Sequence, residues 1–325
     1  MLDRGVDPGQ AVGGEFVPSL VYVYAAAEDE QRGDVPCHVF DRIPTTSTID
    51  TLPGMTGRVV RRTAAVLAFL AAAVLAATPS PGEAARPPLR VLQLNLCDSG
   101  FAGCYSGRAL DVAAAVMRAN RPDIVTLNEI CSGDVEALGT VLDGVFPGDL
   151  VVRAFEPAGD RRTGAPFACV NGEDYGIGLL ARFAGGRRTT VVEGGLYPEQ
   201  DTQDLHDPEQ RAWVCVHAAG AYQACTTHLA NTVPGVAFKQ CQYLFGVAIP
   251  GLHDRAGYVP TVAAGDFNLL ERAQGCIPER AYVRADDGAV QYVAATADHA
   301  VIGSSALDLQ QATDHPGLLV SLAAN

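Results

Sequence analysis

YVPTVAAGDFN, residues 258–268, decides how this chain is read. An apolar run ends in Gly265-Asp266-Phe267-Asn268. Side chains two apart on a strand share a face, so Asp266 and Asn268 are expected to point the same way from the end of a buried strand. One supplies charge and the other a neutral amide. On its own the pair would serve a turn, the commonest use of Asp and Asn after a strand. Four other polar points recur in the same setting, each at the end of a β-like run. They are Asn95 in LRVLQLNL, Glu129 in RPDIVTLNEI, His228 in AYQACTTHLA, and a tail with Asp298-His299 in TADHAVIG and Asp314-His315 in ATDHPGLLVSL.

The N-terminus divides the chain. From Met55, Arg58, Arg61 and Arg62 precede TAAVLAFLAAAVLAA, then TPSPGEAA. A basic start, a short apolar core and small residues near Ala84 and Ala85 read as a secretory signal peptide over 55–85. The apolar run spans 15 residues, short of the roughly 18 a membrane span needs. Residues 1–54 show no sustained periodicity and read as a mis-assigned start or a disordered arm. The expected mature domain is 86–325.

Nine cysteines are present. Cys37 precedes the signal, and the even set behind it suggests disulfides. Proximity pairs Cys97 with Cys104. WVCVHAAGAYQACTTH reads as a hairpin that pairs Cys215 with Cys225, and elimination leaves Cys131–Cys169 and Cys241–Cys276. No CxxC pair or Cys/His cluster of zinc type occurs. Net charge is −14 with a single lysine, Lys239. That balance lacks the basic footprint of a protein that grips nucleic acid nonspecifically.

Downstream of the signal, strand-like runs at 89–96, 123–130 and 150–155 alternate with helix candidates at 108–120 and 134–142. A polar loop is expected over 156–174. The segments 175–183, 188–193, 212–218 and 221–228 read as a run of antiparallel strands. A helix follows over 235–249, then a buried strand at 258–264. Three short strands close the chain near 291–294, 297–302 and 318–322. Many strands with few helices favour one α+β domain of two packed mixed sheets with helices outside.

The order Asn95, Glu129, His228, Asp266-x-Asn268, Asp298, Asp314-His315 resembles the endonuclease/exonuclease/phosphatase superfamily of the deoxyribonuclease-I type, over roughly 89–322. Supporting segments are GIGLLAR (176–182), similar to a GxGLLSR-like strand, and EQRAWVCV (209–216), which carries Arg211. Ala181 stands where the family has Ser, Asn128 where it has Gln, and Thr313 where its Ser-Asp-His tail has Ser. The resemblance implies a four-layer α/β/β/α sandwich with the site where strand ends from both sheets meet. It implies a phosphoester hydrolase using Mg²⁺, or Mn²⁺ or Ca²⁺, which the export signal would make a secreted one. Asn95, Glu129 and Asp314 would hold the metal. Asp266 and Asn268 would hold the attacking water and orient the phosphate. His315 would exchange the proton, with Asp298 on its other ring nitrogen. His228 would act from the opposite side. Arg211 and either Asp174 or Tyr175 would touch substrate. A nuclease is the leading reading. A phosphatase or phospholipid phosphodiesterase acting on a small headgroup is the first rival, and a non-catalytic binding module the second. His206, His217, His253 and His299 read as ordinary, and a monomer with no obligate protein partner is expected.

Overall fold

The computed structural model describes residues 87–325, apart from 187, 205 and 206 and the side chains of Glu271 and Gln274. The N-terminal extension, the signal-peptide reading, Cys37 and His206 lie outside the described residues.

In chain order the strands begin with β1 (Leu89–Asn95), β2 (Ile124–Cys131), β3 (Leu150–Pro157), β4 (Gly159–Asp160) and β5 (Tyr175–Phe183). They continue with β6 (Thr190–Leu196), β7 (Glu209–Gln210), β8 (Ala212–Ala218), β9 (Gln223–His228) and β10 (Thr261–Asp266). The last four are β11 (Tyr282–Asp286), β12 (Gln291–Thr296), β13 (His299–Leu307) and β14 (Gly317–Ala324). Two six-stranded sheets result, ordered β13-β14-β1-β2-β5-β3 and β11-β12-β10-β9-β8-β6, with β4 and β7 as a small separate pair. Both large sheets are mixed: β1–β2 and β9–β10 are parallel and the other pairs antiparallel.

Side-chain alternation builds the layers. Val91, Ile124, Ile177 and Val320 of the first sheet meet Val214, Val216, Val262 and Val293 of the second in one apolar interlayer. The opposite face of the first sheet, with Leu92, Val125 and Leu127, is covered by α1 (Ala109–Asn120) and α2 (Ser132–Val145). The outer face of the second sheet carries Trp213, Ala263 and Tyr292 under α3 (Pro234–Tyr243) and α4 (Ile249–Ala256). This is the expected α/β/β/α sandwich.

The inward faces change character along their length. In β1 they run Val91, Gln93, Asn95, and in β2 Ile124, Thr126, Asn128. In β9 they run Ala224, Thr226, His228, in β10 Val262, Ala264, Asp266, and in β12, read backwards, Ala295, Val293, Gln291. Apolar interlayer therefore gives way to polar groups at one end of the sandwich, in both sheets at once.

All four expected disulfides are present: Cys97–Cys104, Cys131–Cys169, Cys215–Cys225 and Cys241–Cys276. Cys215 and Cys225 lie directly opposite each other in the β8–β9 ladder. Three expectations differ. β5 belongs to the first sheet and does not continue into β6. The edge strand β11 is additional, as are β4, within the stretch expected to be a loop, and β7. The helix expected to stop at 249 runs through Pro250 to Ala256. A π-helical turn at Leu244–Ala248 precedes Pro250 and absorbs the hydrogen bond that a proline cannot make.

Glu156, near the end of β3, is an acid inside the sandwich, 3% exposed. Gly194 makes room for it, since a Cβ there would lie 2.6 Å from Glu156 Oε2. Burial raises the Glu156 carboxyl from 4.5 to about 8. The native state keeps this proton where the unfolded chain has lost it. Its stability contribution is therefore full below pH 4.5 and is lost as pH rises through about 8. Urea unfolding should show Glu156→Gln with a flatter stability profile across that window and higher stability than the parent at its alkaline end.

Candidate active site

Glu129 reaches the polar end through a backbone irregularity. By alternation it belongs with Val125 and Leu127 on the helix-covered face. The β2–β5 register slips between Asn128 and Ile130, and Glu129 adopts φ 57°. The bulge leaves Glu129 unpaired and re-aims it, while Ile130 takes the apolar position. Asn95 Nδ2 donates to Glu129 Oε1 at 2.8 Å and to Asp266 Oδ2 at 3.3 Å. One amide thus bridges a carboxylate from each sheet.

Asp266 ends β10 directly beside His228 of β9. It is 1% exposed. Burial raises its pKa, and the nearby His315, the Asn95 amide and the Asn268 backbone N–H oppose the rise. Its donors are Gln291 Nε2 at 3.0 Å, Asn95 Nδ2 at 3.3 Å and the Asn268 N–H at 3.1 Å. Asn268 sits at φ 50°, a left-handed conformation that Asn tolerates well. Its Nδ2 donates to the Leu229 carbonyl at 3.0 Å, tying it to the exit of β9.

Beneath these groups lies a floor of buried amides. Gln93 Nε2 donates to Asn128 Oδ1 at 2.7 Å and to Gln291 Oε1 at 2.8 Å. The Thr126 hydroxyl donates to Gln93 Oε1. Asn128 Nδ2 donates to the Thr227 carbonyl at 2.9 Å, and Asn128 Oδ1 also accepts the Asp266 N–H at 2.8 Å. Gln93 and Asn128 are thus bonded across the interlayer to β9, β10 and β12. Oε1 of Gln291 is filled, so its N–H group must face Asp266 and the carboxylate oxygen there is an acceptor.

His315, one residue before Pro316 and β14, places Nε2 3.7 Å from Asp266 Oδ2 and 3.8 Å from Asp314 Oδ1. Asp314 and His315 form the rim, with side chains 56% and 25% exposed. On the other wall, His228 Nε2 is 3.9 Å from Glu129 Oε1. Burial, with Arg211 and His315 adding to it, holds the His228 pKa well below the ordinary imidazole value. Burial likewise raises Glu129, the Asn95 hydrogen bond and Arg211 oppose the rise, and the negative charges of Asp266 and Asp314 reinforce it.

The structure therefore brings together Asn95, Glu129, His228, Asp266, Asn268, Asp314, His315, Arg211 and Tyr175. It corrects two expectations. Asp298 is not beside His315. β12 runs antiparallel to β10 with Gln291 opposite Asp266, so Asp298 lies beyond the far end of β12. The six residues of strand from Gln291 to Thr296 already span about 17 Å. There Asp298 accepts from Thr296 Oγ1 at 2.7 Å and from the Tyr258 hydroxyl, and these hydrogen bonds lower its pKa. Of the pair Asp174 and Tyr175, Asp174 is exposed, while Tyr175 is 5% exposed with its hydroxyl 3.5 Å from Glu209 Oε2.

Sequence reasoning missed Gln93, Gln291, Asp207 and Glu209. Gln93 and Asn95 did carry a signal, two polar residues at spacing two inside an apolar strand. Gln291 carried none beyond its place at a strand start.

The donor set suits a hard cation. Glu129, Asp266 and Asp314 interact electrostatically around an amide, without thiolate. Among the described residues, the only tight group of three metal-ligating side chains is Cys97, Cys104 and Asp314, and two of its atoms are the joined sulfurs of a disulfide.

Neither a family model nor a curated protein matches the sequence. Solved structures do. The human Nocturnin catalytic domain with bound sulfate anion aligns with TM-score 0.54 at 15% identity, covering 74% of this chain and 95% of that one. The endonuclease/exonuclease/phosphatase from Beutenbergia cavernae DSM 12333 gives 0.52 at 20% identity over 74% and 72%. A mannosyl-6-phosphatase from Bacteroides thetaiotaomicron VPI-5482 gives 0.51 at 14% identity over 72% and 99%. The fold of this chain is the endonuclease/exonuclease/phosphatase sandwich, as the sequence resemblance implied.

Two outcomes follow. Gln93→Leu strands Oε1 of Gln291 and the Thr126 hydroxyl and leaves Asn128 Oδ1 with the Asp266 N–H alone, and should cost roughly 2–4 kcal/mol in chemical unfolding. In calorimetric titration with Mn²⁺, Glu129→Gln should weaken binding at least about tenfold, whereas Asp298→Ala should leave it at the parent value.

Proposed function

We propose that this chain is a secreted, divalent-metal-dependent phosphoester hydrolase, and that nucleic-acid phosphodiesters are its first substrate class. The observation that carries the reading is the meeting of Asn95, Glu129, His228, Asp266, Asn268 and His315, drawn from both sheets, at one polar end of the sandwich. The open rim at Asp314 and His315 supports a polymeric substrate. A sequence that reads as carrying an export signal and four disulfides supports secretion.

Glu129, Asn95 and Asp314 would hold the cation. When bound, it neutralises phosphoryl oxygens and so favours attack at phosphorus. Asp266 and Asn268 hold the attacking water and orient the phosphate. His315, with Nε2 towards Asp266, takes the proton from that water. His228 faces the phosphoryl group from the Glu129 side.

A second reading has its own support. Net charge is −14 and Lys239 is the single lysine. Arg211 at the site is paired to Asp207 and Glu209, each at 3.0 Å. Such a surface offers little to a long polyanion and favours a small phosphorylated headgroup.

Purified protein with Mg²⁺ should be given plasmid DNA, RNA, sphingomyelin and inositol phosphates. Cleaved nucleic acid supports the first reading. Inert nucleic acid with a cleaved headgroup replaces it with the second, and no turnover on any of them leaves only a binding module. On the cleaved substrate, His315→Ala should lower kcat by about 10²–10⁴-fold. Unchanged turnover would remove His315 from the mechanism.

A further inference from the structure

The chain carries a net charge of −14, yet one cleft gathers arginines. A cavity of about 490 Å³ is walled by Arg90, Arg121, Arg182 and Arg188, with Phe146 and Tyr222 among the residues between them. It opens at the end of the sandwich away from the candidate active site. Arg90 lies near the start of β1 and Asn95 at its end, so about 17 Å of strand separates the two. Tyr222 stands just before β9, whose other end is His228. Both sheets therefore contribute to this cleft, as they do to the site at the opposite end.

One of the four arginines is part of the framework. Arg182 Nη1 donates to Asp123 Oδ1 at 2.6 Å and Nε donates to Asp149 Oδ2 at 2.8 Å. Its guanidinium carbon lies 4.2 Å from the centre of the Phe146 ring. Arg121 stands 4.8 Å from the same ring, so one aromatic face serves two cations. Arg188 reaches the Ala184 carbonyl at 3.5 Å, a weak contact. Among the described residues, the ion pairs of arginine and lysine involve none of Arg90, Arg121 and Arg188. Acids outnumber bases 37 to 23 in this chain, so three guanidinia without a carboxylate in one cleft run against the overall balance. Neutralising a helix C-terminus accounts for Arg121, the C-cap residue of α1, and leaves Arg90 and Arg188 without that role. Like charges gathered around one cavity repel each other unless an anion joins them.

We infer that this cleft is a second ligand site, built for a small phosphomonoester and separate from the candidate active site. It does not rest on the proposed reaction. Asp123 and Asp149 outweigh Arg182, and the three unpaired arginines turn the balance to a surplus of two positive charges. A phosphomonoester carries about 1.5 to 2 negative charges at neutral pH. Guanidinium forks match its oxygens in pairs. The cleft is larger than a bare phosphate needs and falls within the roughly 300–1,000 Å³ of small-molecule sites. Tyr222 supplies the wall for the organic part. Its hydroxyl donates to the Arg182 carbonyl at 2.6 Å and its ring centre lies 4.7 Å from that of Phe183, so the ring is held in place before a ligand arrives.

Calorimetric titration of the full chain tests this. Low ionic strength strengthens the exposed charges, and EDTA keeps divalent cations out of the active site. Phenyl phosphate and inorganic phosphate are the probes. Phenyl phosphate should bind at one site per chain, inorganic phosphate more weakly, and added salt should weaken both. Arg121→Gln and Arg188→Gln should each lower the affinity for phenyl phosphate about tenfold, the loss expected for one charge-assisted hydrogen bond. Arg280→Gln removes the same charge from an exposed position outside the cleft and should leave the affinity at the parent value. Arg121 and Arg188 are exposed as well, so neither substitution touches the core. Parental affinity in both cleft variants would overturn the inference, because the anion would then sit elsewhere. An equal loss in Arg280→Gln would reduce the effect to net charge and overturn it too. Equal affinity for the two probes would remove the phosphomonoester assignment, and the absence of saturable binding would remove the site.

Discussion

The buried amide floor joining the two sheets is the constraint on which the rest depends. Two β-sheets packed through Val, Leu and Ala could slide past each other at little cost, because apolar contact has no direction. Gln93, Asn128 and Gln291 remove that freedom at one end. Each amide has its donor and acceptor ends assigned by a neighbour, so a shift of one sheet would strand several buried polar groups at once. The same bonds fix Asp266 from the second sheet against Asn95 and Glu129 from the first. A site assembled from residues so far apart in sequence needs such registration more than it needs any single contact.

The outline of this was legible in the sequence, for physical reasons. Strands that are apolar on both faces announce themselves as runs, and a polar residue at the end of each marks where the apolar interlayer stops. Asn95, Glu129, His228 and Asp266 were found that way. The disulfide pairing Cys215–Cys225 followed from a hairpin whose register the structure repeats. Asp298 failed because adjacency in a motif order carries no information on which end of an antiparallel strand a residue occupies. The alternation between Asp174 and Tyr175 could not be settled without knowing the start of β5. Glu129 succeeded only because a bulge overrides strict alternation, which sequence periodicity would have placed against the helices. Glu209 and Asp207 were missed because acids beside an arginine in a loop look like solvated surface.

The electrostatics of the site are unbalanced by design of the sequence. Carboxylates outnumber free cations where Glu129, Asp266 and Asp314 meet, and Arg211 is already committed to Asp207 and Glu209. Burial raises both Glu129 and Asp266 against their ionised forms. A divalent cation would resolve the imbalance, since it would stabilise the charged carboxylates and supply the positive field that neither Lys239 nor Arg211 offers there.

That cation is the centre of the account, and diffraction at the manganese edge locates it directly. Crystals grown with Mn²⁺ should show one anomalous peak within coordination distance of Glu129, on the side of Asn95 and Asp314. A peak elsewhere, or a site that stays free of manganese at saturating concentration, would contradict the account and leave the shared fold without the chemistry assigned to it.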